Sequence, residues 1–331
     1  MLSRFKILIC LLAALATSNV AATEINLSFA YFMGPKHHFN DSVFKPFARH
    51  IEELSNGTIT VTQFPGGALN SSPPKQYSIM LSGVADIVYA LPGYTSDLFP
   101  KTNLLGLPDV CDNAVECTHA LINARQELEP EYDAKVLALI GSGPQILITR
   151  DKAVRTLEDL QGMKIRVASK LAARFVEAVG ASAVSQPITV VHQNLANGVI
   201  DGVLTTPAAI RLFKLYEPAK YVTTYFPGSG LSFAILMNKQ VYQNLSEQQR
   251  AWIDAASTEE LAIAGAHSYH QADLAGIQDA RDAGVEVIDI PESEKERFRT
   301  EVMDTLDDLM NMTVGDMKAS EIVSMMKSGL D

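Results

Sequence analysis

The segment Leu160-Gln161-Gly162-Met163-Lys164-Ile165-Arg166-Val167 places a glycine turn before a short apolar strand that carries an arginine near its end. An arginine in a buried strand is costly unless it is paired, and its guanidinium can hold a carboxylate through two hydrogen bonds. That carboxylate belongs either to a ligand or to an acidic side chain of the same protein, and the sequence leaves both open. In both cases the segment predicts a buried strand over residues 163–167.

Helices and strands alternate on both sides of this segment. The strands predicted before it cover residues 25–29, 58–64, 85–90 and 136–140, with helices at 39–54 and 75–82. After it come helices at 171–179 and 190–197 and strands at 201–204 and 233–238. This alternation is typical of α/β proteins with largely parallel sheets. No flexible linker separates the halves, which predicts two domains joined by structured crossings, as in hinge-bending binding proteins.

A long helical pattern follows the last of these strands. Ser246 and Gln249 have the spacing of a capping box, and helical character continues from residue 247 to 283. An unbroken helix of that length would measure about 55 Å and could span both domains. Gly265 and Gly276 interrupt the pattern, so we expect a kink near one of them. A strand at 285–290 and acidic amphipathic helices at 292–330 complete the chain.

Composition and charge restrict the class of protein. The chain has 331 residues, 47% of them hydrophobic, and a formal net charge of -11. A polyphosphate would be repelled by that charge, so nucleic-acid binding is not expected. The apolar stretch at 7–16 is too short for a bilayer span, which needs roughly 20 residues. Basic residues before it and small residues after it predict a signal peptide over residues 1–22 and export of the mature chain.

Cysteine and histidine pairs are the remaining candidates for special chemistry. Cys111 and Cys117 would enter an oxidising compartment, and both a local disulfide and two free thiols are open. Zinc is least expected, because too few further ligands lie nearby. His38, in the loop after the first strand, has either a pocket role or a surface role. The pair His267 and His270 is expected on a solvated helix face.

Motifs typical of catalysis are missing from the sequence. There is no nucleophile elbow, phosphate loop, zinc-protease helix or dinucleotide fingerprint. The run Gly141-Ser142-Gly143-Pro144 lacks the lysine of a phosphate loop and is predicted to form a tight turn after a strand. We therefore expect a binding protein, with no enzyme activity, no metal and no cofactor.

Several separate segments resemble the solute-binding proteins of TRAP transporters, of the C4-dicarboxylate-binding DctP type. They include the segment at 160–167, Gly180-Ala181, and Asn197-Gly198-Val199-Ile200-Asp201-Gly202. Matching runs before them include Pro65-Gly66-Gly67-Ala68-Leu69 and Ser82-Gly83-Val84-Ala85-Asp86-Ile87, and the resemblance covers essentially the whole mature chain.

The resemblance implies a two-lobed periplasmic α/β protein with a ligand cleft between the lobes and a long helix spanning both. Lobe I would comprise residues 23–143 and 232–270, and lobe II residues 144–231 and 271–331. Such a protein closes around a small organic acid and delivers it to the membrane subunits of an importer. The family's ligand clamp matches Arg166, and other expected ligand contacts are Phe32, Tyr94, Ile188, Thr205, Gln186, His38 and Gln145.

One position departs from the pattern of several family members. Where they carry a second arginine, this chain has Ile146. A second ligand carboxylate would then be poorly compensated in a closed cleft, so we expect a monocarboxylate, such as a hydroxy-, oxo- or aromatic acid. His38 is the residue that could supply the missing charge. Alternative functions are a ligand-binding sensor subunit and a periplasmic enzyme on the same scaffold.

Overall fold

The computed structural model describes residues 24–330. The predicted signal peptide at 1–22 lies outside the described residues. The strands are Ile25–Ala30 (β1), Ile59–Phe64 (β2), Ile87–Ala90 (β3), Ala134–Gly141 (β4), Ile146–Thr149 (β5), Lys164–Val167 (β6), Ser182–Ser185 (β7), Gly202–Thr205 (β8), Tyr221–Thr223 (β9), Ser232–Asn238 (β10), Glu286–Ile288 (β11), Thr313–Val314 (β12) and Met317–Lys318 (β13).

Most helices are short and connect the strands. They are Lys45–Leu54 (α1), Gln76–Leu81 (α2), Ala114–Asn123 (α3), Arg125–Leu128 (α4), Lys170–Ala178 (α5), Val191–Ala196 (α6), Ala208–Leu212 (α7), Lys239–Asn244 (α8), Glu247–Ala256 (α9), Glu259–Asp282 (α10), Glu292–Met303 (α11), Asp307–Asn311 (α12) and Ala319–Met326 (α13). A π-helical segment, Asn40–Phe44, leads into α1. The 3₁₀ turns are Pro73–Lys75, Pro92–Leu98, Thr102–Gly106, Glu129–Glu131, Leu157–Leu160 and Ile188–Val190.

The strands form two large sheets and one small hairpin. The first sheet has the order β2-β1-β3-β10-β4 and the second the order β11-β9-β5-β8-β6-β7. Most neighbours are parallel, but β10 is antiparallel to β3 and β4, and β5 is antiparallel to β8 and β9. Both β10 and β5 directly follow a crossing from one sheet to the other. Each therefore runs through its new sheet in the direction opposite to its neighbours. The prediction of largely parallel sheets is therefore only partly right.

Two crossings between the sheets run side by side. The segment from Ser142 to Gln145 joins β4 to β5 without forming a helix or a turn, and Ser142 N donates to Leu231 O at 2.9 Å. Leu231 N donates in turn to Ser142 Oγ at 2.7 Å. A Cβ atom on Gly230 would lie 2.1 Å from Ser142 O, so this close approach requires glycine. The predicted tight turn at 141–144 is wrong, because these residues pair with the returning crossing.

The long helical pattern is broken where the sequence analysis did not expect it. The capping box at Ser246 is present, but α9 ends before Ser257, and α10 begins at Glu259. Gly265 and Gly276 both lie inside the continuous α10. Added Cβ atoms there would lie 2.8 Å from Ile140 Cδ1 and 2.0 Å from Pro207 O, respectively. The predicted glycine kink is wrong, since these glycines instead allow close packing of α10 against both halves of the molecule.

The C-terminal segment returns toward the first sheet. After α11 and α12, α13 packs against α3 and against Thr102–Gly106. The predicted lobe II included residues 271–331, whereas α13 contacts elements of the predicted lobe I. The exact lobe boundaries stay a prediction.

Two further sequence questions are answered by the fold. Cys111 and Cys117 form a disulfide with a Cα–Cα distance of 5.0 Å, which decides between the two alternatives left open. Among residues 24–330, no helix is both long enough and apolar enough to cross a membrane.

Candidate ligand-binding site

A small cavity lies between the two sheets, at the carboxyl ends of β6 and β8. We call it the inner cavity, and water-sized molecules can occupy about 40 Å³ of it. Its lining is mainly apolar and aromatic and comes from both halves: Phe32, Met33, Leu91, Tyr94, Arg166, Ala168, Ile188, Thr205, Thr206, Ala209, Leu212, Phe213, Leu231, Phe233 and Tyr269. Among these described residues, Arg166 carries the only formal charge. Crevices at strand carboxyl ends are where α/β proteins bind ligands.

Arg166 is the largest fully buried side chain of the described chain, with 1% of its surface exposed. Its Nε donates to Gln186 O at 2.8 Å, and one Nη donates to Tyr94 Oη at 3.1 Å. Within residues 24–330, no carboxylate forms a salt bridge with Arg166. Of the two alternatives left open by the sequence, the described chain therefore does not supply the acidic partner. Burial lowers the pKa of Arg166 below its usual value. A buried guanidinium with only neutral partners is the arrangement that an incoming anion would stabilise.

Tyr94 connects the two halves at the guanidinium. It lies in the turn Pro92–Leu98, beside the first sheet, and its hydroxyl oxygen accepts from Arg166 and, at 2.9 Å, from Ile188 N. A phenol oxygen that accepts two hydrogen bonds still has its own proton to donate. That proton has no acceptor among the described residues, so it is available to a ligand oxygen beside Arg166. A nearby ion pair, Lys170 to Asp97 at 2.6 Å, also joins the two halves.

Hydroxyl groups line the wall beside the guanidinium. Thr205 ends β8 and is buried, and Thr206 shares a 2.8 Å hydrogen bond with Tyr269 Oη. In the second sheet, Thr205 pairs with Ile146. Ile146 occupies the position where several family members carry a second arginine. The inner cavity therefore offers one cation together with neutral hydroxyl groups.

Aromatic rings form the opposite wall. Phe233 stacks on Tyr89 and on Tyr269 at centroid distances of 5.6 and 5.3 Å, and Phe32 lies 5.7 Å from Tyr89. These ring pairs are stacked or tilted, so the wall presents broad apolar ring surfaces to the cavity. Of the aromatic residues at the cavity, Phe32 was predicted from the sequence, whereas Phe233, Phe213 and Tyr269 were not. They lie on β10, directly after α7 and on α10, and their meeting at one cavity depends on the tertiary fold.

Residues 29–312 match the family model described as bacterial extracellular solute-binding protein, family 7 (DctP). The chain belongs to this family. A solute-binding protein from Albidiferax ferrireducens is 26% identical over 286 residues, covering 84% of this chain and 83% of the relative.

Solved structures with the same fold include complexes with aromatic acids and with sugar acids. A marine metagenome TRAP solute-binding protein specific for aromatic acid ligands, in complex with 3-hydroxybenzoate, has a TM-score of 0.85 and 26% identity. The match covers 93% of this chain and 98% of that one. A TRAP solute-binding protein from Rhodoferax ferrireducens with copurified benzoate has a TM-score of 0.82 and 25% identity, over 92% and 97% of the two chains.

Membership of the DctP family establishes the general role. The protein is a two-lobed TRAP solute-binding protein of the periplasmic type, which binds a small organic acid and works with the membrane subunits of an importer. Of the residues expected at the ligand, the structure brings Arg166, Phe32, Tyr94, Ile188 and Thr205 together around the inner cavity.

The other three expected contacts lie elsewhere. Gln186 touches Arg166 only through its backbone oxygen, and its side chain accepts from Asn194 at 2.7 Å. His38 does not line the inner cavity; its Nδ1 bonds Ser268 Oγ at 2.8 Å, and its ring packs edge-on against Tyr269. Burial lowers the pKa of His38 to about 4, so the ring is neutral near pH 7 and does not provide the second charge. Gln145 lines a smaller adjacent pocket with its Oε1 unpaired.

Proposed function

We propose that this chain binds an aromatic monocarboxylate as the ligand of its TRAP importer. The single observation that carries the proposal is the buried Arg166, which has no carboxylate partner in the described chain and faces a cavity with aromatic walls. The ligand carboxylate takes two hydrogen bonds from the guanidinium and a third from the Tyr94 hydroxyl. Its ring packs among Phe32, Phe213 and Phe233.

The absence of a second cation in the lining restricts the ligand further. A second carboxylate in the inner cavity would be desolvated among apolar side chains and neutral hydroxyls, at a cost of several kcal/mol. A ring hydroxyl is accommodated more easily, because Thr205, Thr206 and Tyr269 can exchange hydrogen bonds with it. The aromatic acids in the two related structures support this ligand class. A predicted signal peptide over residues 1–22 agrees with delivery of the ligand from the periplasm.

A thermal-shift series on the mature chain tests this proposal. Ligands that bind only the folded protein raise the unfolding midpoint by mass action. We expect benzoate and 3-hydroxybenzoate to raise it, whereas the neutral isostere benzamide has no effect because it lacks the anion. Phthalate and succinate test the second carboxylate, and cyclohexanecarboxylate tests the aromatic ring. A larger shift with succinate than with benzoate would refute the monocarboxylate proposal, and equal shifts with benzoate and benzamide would refute the clamp.

A further inference from the structure

A second, wider cavity lies outside the inner cavity. We call it the vestibule; its volume is about 590 Å³, and it is lined by Phe32, Met33, Gly34, Pro35, Lys36, His37, Arg211, Leu212, Phe213 and Lys214. Four of these residues, Phe32, Met33, Leu212 and Phe213, also line the inner cavity. The loop after β1 supplies one wall, and α7 with the residues after it supplies the other. These four apolar side chains therefore separate the two cavities. A ligand that reaches the inner cavity through the vestibule must pass between them.

Every ionisable residue that lines the vestibule is basic. Lys36, Arg211 and Lys214 are exposed there, whereas the whole chain has a net charge of -11. Arg211 is held by Asp279 through two hydrogen bonds of 2.5 Å, which neutralises it. Lys214 is 3.8 Å from Glu217, and Lys36 forms no salt bridge with any residue of the described chain. His37 is buried and neutral, since burial lowers its pKa well below the usual value.

The uncompensated positive charge thus comes mainly from Lys36 on one side of the vestibule, and Lys214 on the other side adds a cation that is only loosely paired with Glu217. A local concentration of one charge sign beside apolar walls raises the concentration of the opposite ion at that site. We propose that the vestibule is a transient capture site for organic anions, where a carboxylate ligand is held between Lys36 and Lys214 before it passes to Arg166. This inference rests on the proposed function, because only an anionic ligand would be attracted there.

The proposal makes a prediction about the sign of a salt effect. If the net charge of the whole protein governed the approach of the ligand, an anion would be repelled, and its association rate would rise with ionic strength. If the vestibule governs it, the anion is attracted, and the rate falls as salt screens the two lysines. Charges at the rim of a site act mainly on the association rate, so the dissociation rate should stay nearly constant.

The experiment is stopped-flow binding of 3-hydroxybenzoate to the mature full chain between 10 and 300 mM ionic strength. We expect the wild-type association rate to fall with salt. A double variant, Lys36→Glu with Lys214→Glu, should reverse that dependence. At low salt each unit charge about 10 Å from the ligand's path changes the rate about twofold, so the four-unit change should slow association about 16-fold.

The matched control is Lys327→Glu, doubled with Lys318→Glu. Both lysines are exposed in the C-terminal segment, line neither cavity, and give the same change in net charge. We expect this control to keep the wild-type sign of the salt effect. The vestibule proposal would be overturned if the wild-type association rate rose with salt, or if the two double variants showed the same salt dependence of that rate. Either result would leave the proposed equilibrium binding at Arg166 intact. No equilibrium binding of 3-hydroxybenzoate by the wild type would overturn both proposals.

Discussion

Replacing Arg166 by methionine tests the central feature of the site. Methionine keeps much of the length and apolar volume of the stem but removes the guanidinium. Removing one partner from a buried ion pair costs about 3–5 kcal/mol, because the other charge is left buried without compensation. At 1.36 kcal/mol per factor of ten, the affinity for an aromatic carboxylate should fall by about 10²- to 10⁴-fold.

The stability of the ligand-free protein should respond differently. The guanidinium now has only two neutral acceptors, Gln186 O and Tyr94 Oη, and its burial is unfavourable without an anion. Losing these two hydrogen bonds and relieving the buried charge are opposing effects. We therefore expect the free energy of unfolding of Arg166→Met to change by no more than about 2 kcal/mol.

The assay combines isothermal titration with benzoate and urea unfolding without ligand. Arg166→Lys is the matched control, since it keeps the charge but lacks the two-pronged donor geometry, and we expect its affinity to lie between those of the wild type and Arg166→Met. An affinity of Arg166→Met within tenfold of the wild type would show that the carboxylate binds elsewhere. A loss of stability much above 3 kcal/mol in the absence of ligand would show that the guanidinium is primarily structural.

Three further predictions concern the scaffold. Burial raises the pKa of Asp273 from 3.8 to about 7, so the unfolding free energy of the wild type should fall by up to about 4 kcal/mol as the pH rises from about 4 to 7. In Asp273→Asn this component of the pH dependence, measured by urea unfolding at pH 5 and 8, should vanish; an unchanged slope would contradict the assignment. Replacing Cys111 and Cys117 by serine should lower the free energy of unfolding by about 2 kcal/mol relative to the oxidised wild type, because the loop they close is short; the dithiothreitol-treated wild type is the control and should lose about as much. Gly276→Ala should lower stability by about 1–3 kcal/mol despite the higher helix propensity of alanine, since its Cβ would meet Pro207 O, whereas Gly34→Ala, with open space around it, should be nearly neutral.

Local sequence signals predicted individual elements well and their relations less well. The capping box at Ser246 and the strand around Arg166 are present because both depend on neighbouring residues alone. The sequence does not predict the helix break at Ser257. It also predicts a kink at a glycine where α10 is continuous, because the reason for a glycine within a helix lies in what packs against it. The same limit applies to the run at 141–144, which forms no turn because it is hydrogen-bonded to a crossing some ninety residues later in the chain.

The same distinction between local sequence signals and tertiary relations holds for the binding site. The cation on β6, the missing second arginine at Ile146 and the family resemblance could all be predicted before the fold was known, since these are properties of residue type and order. The folded structure was needed to show that Arg166 has no acidic partner in the described chain, that His38 packs edge-on against Tyr269 outside the inner cavity lining, and that Phe233 and Tyr269 complete the aromatic wall. These facts depend on which side chains from distant segments meet between the two sheets. Burial between the sheets makes the unpaired Arg166 charge costly, and it therefore favours an anionic ligand that compensates that charge.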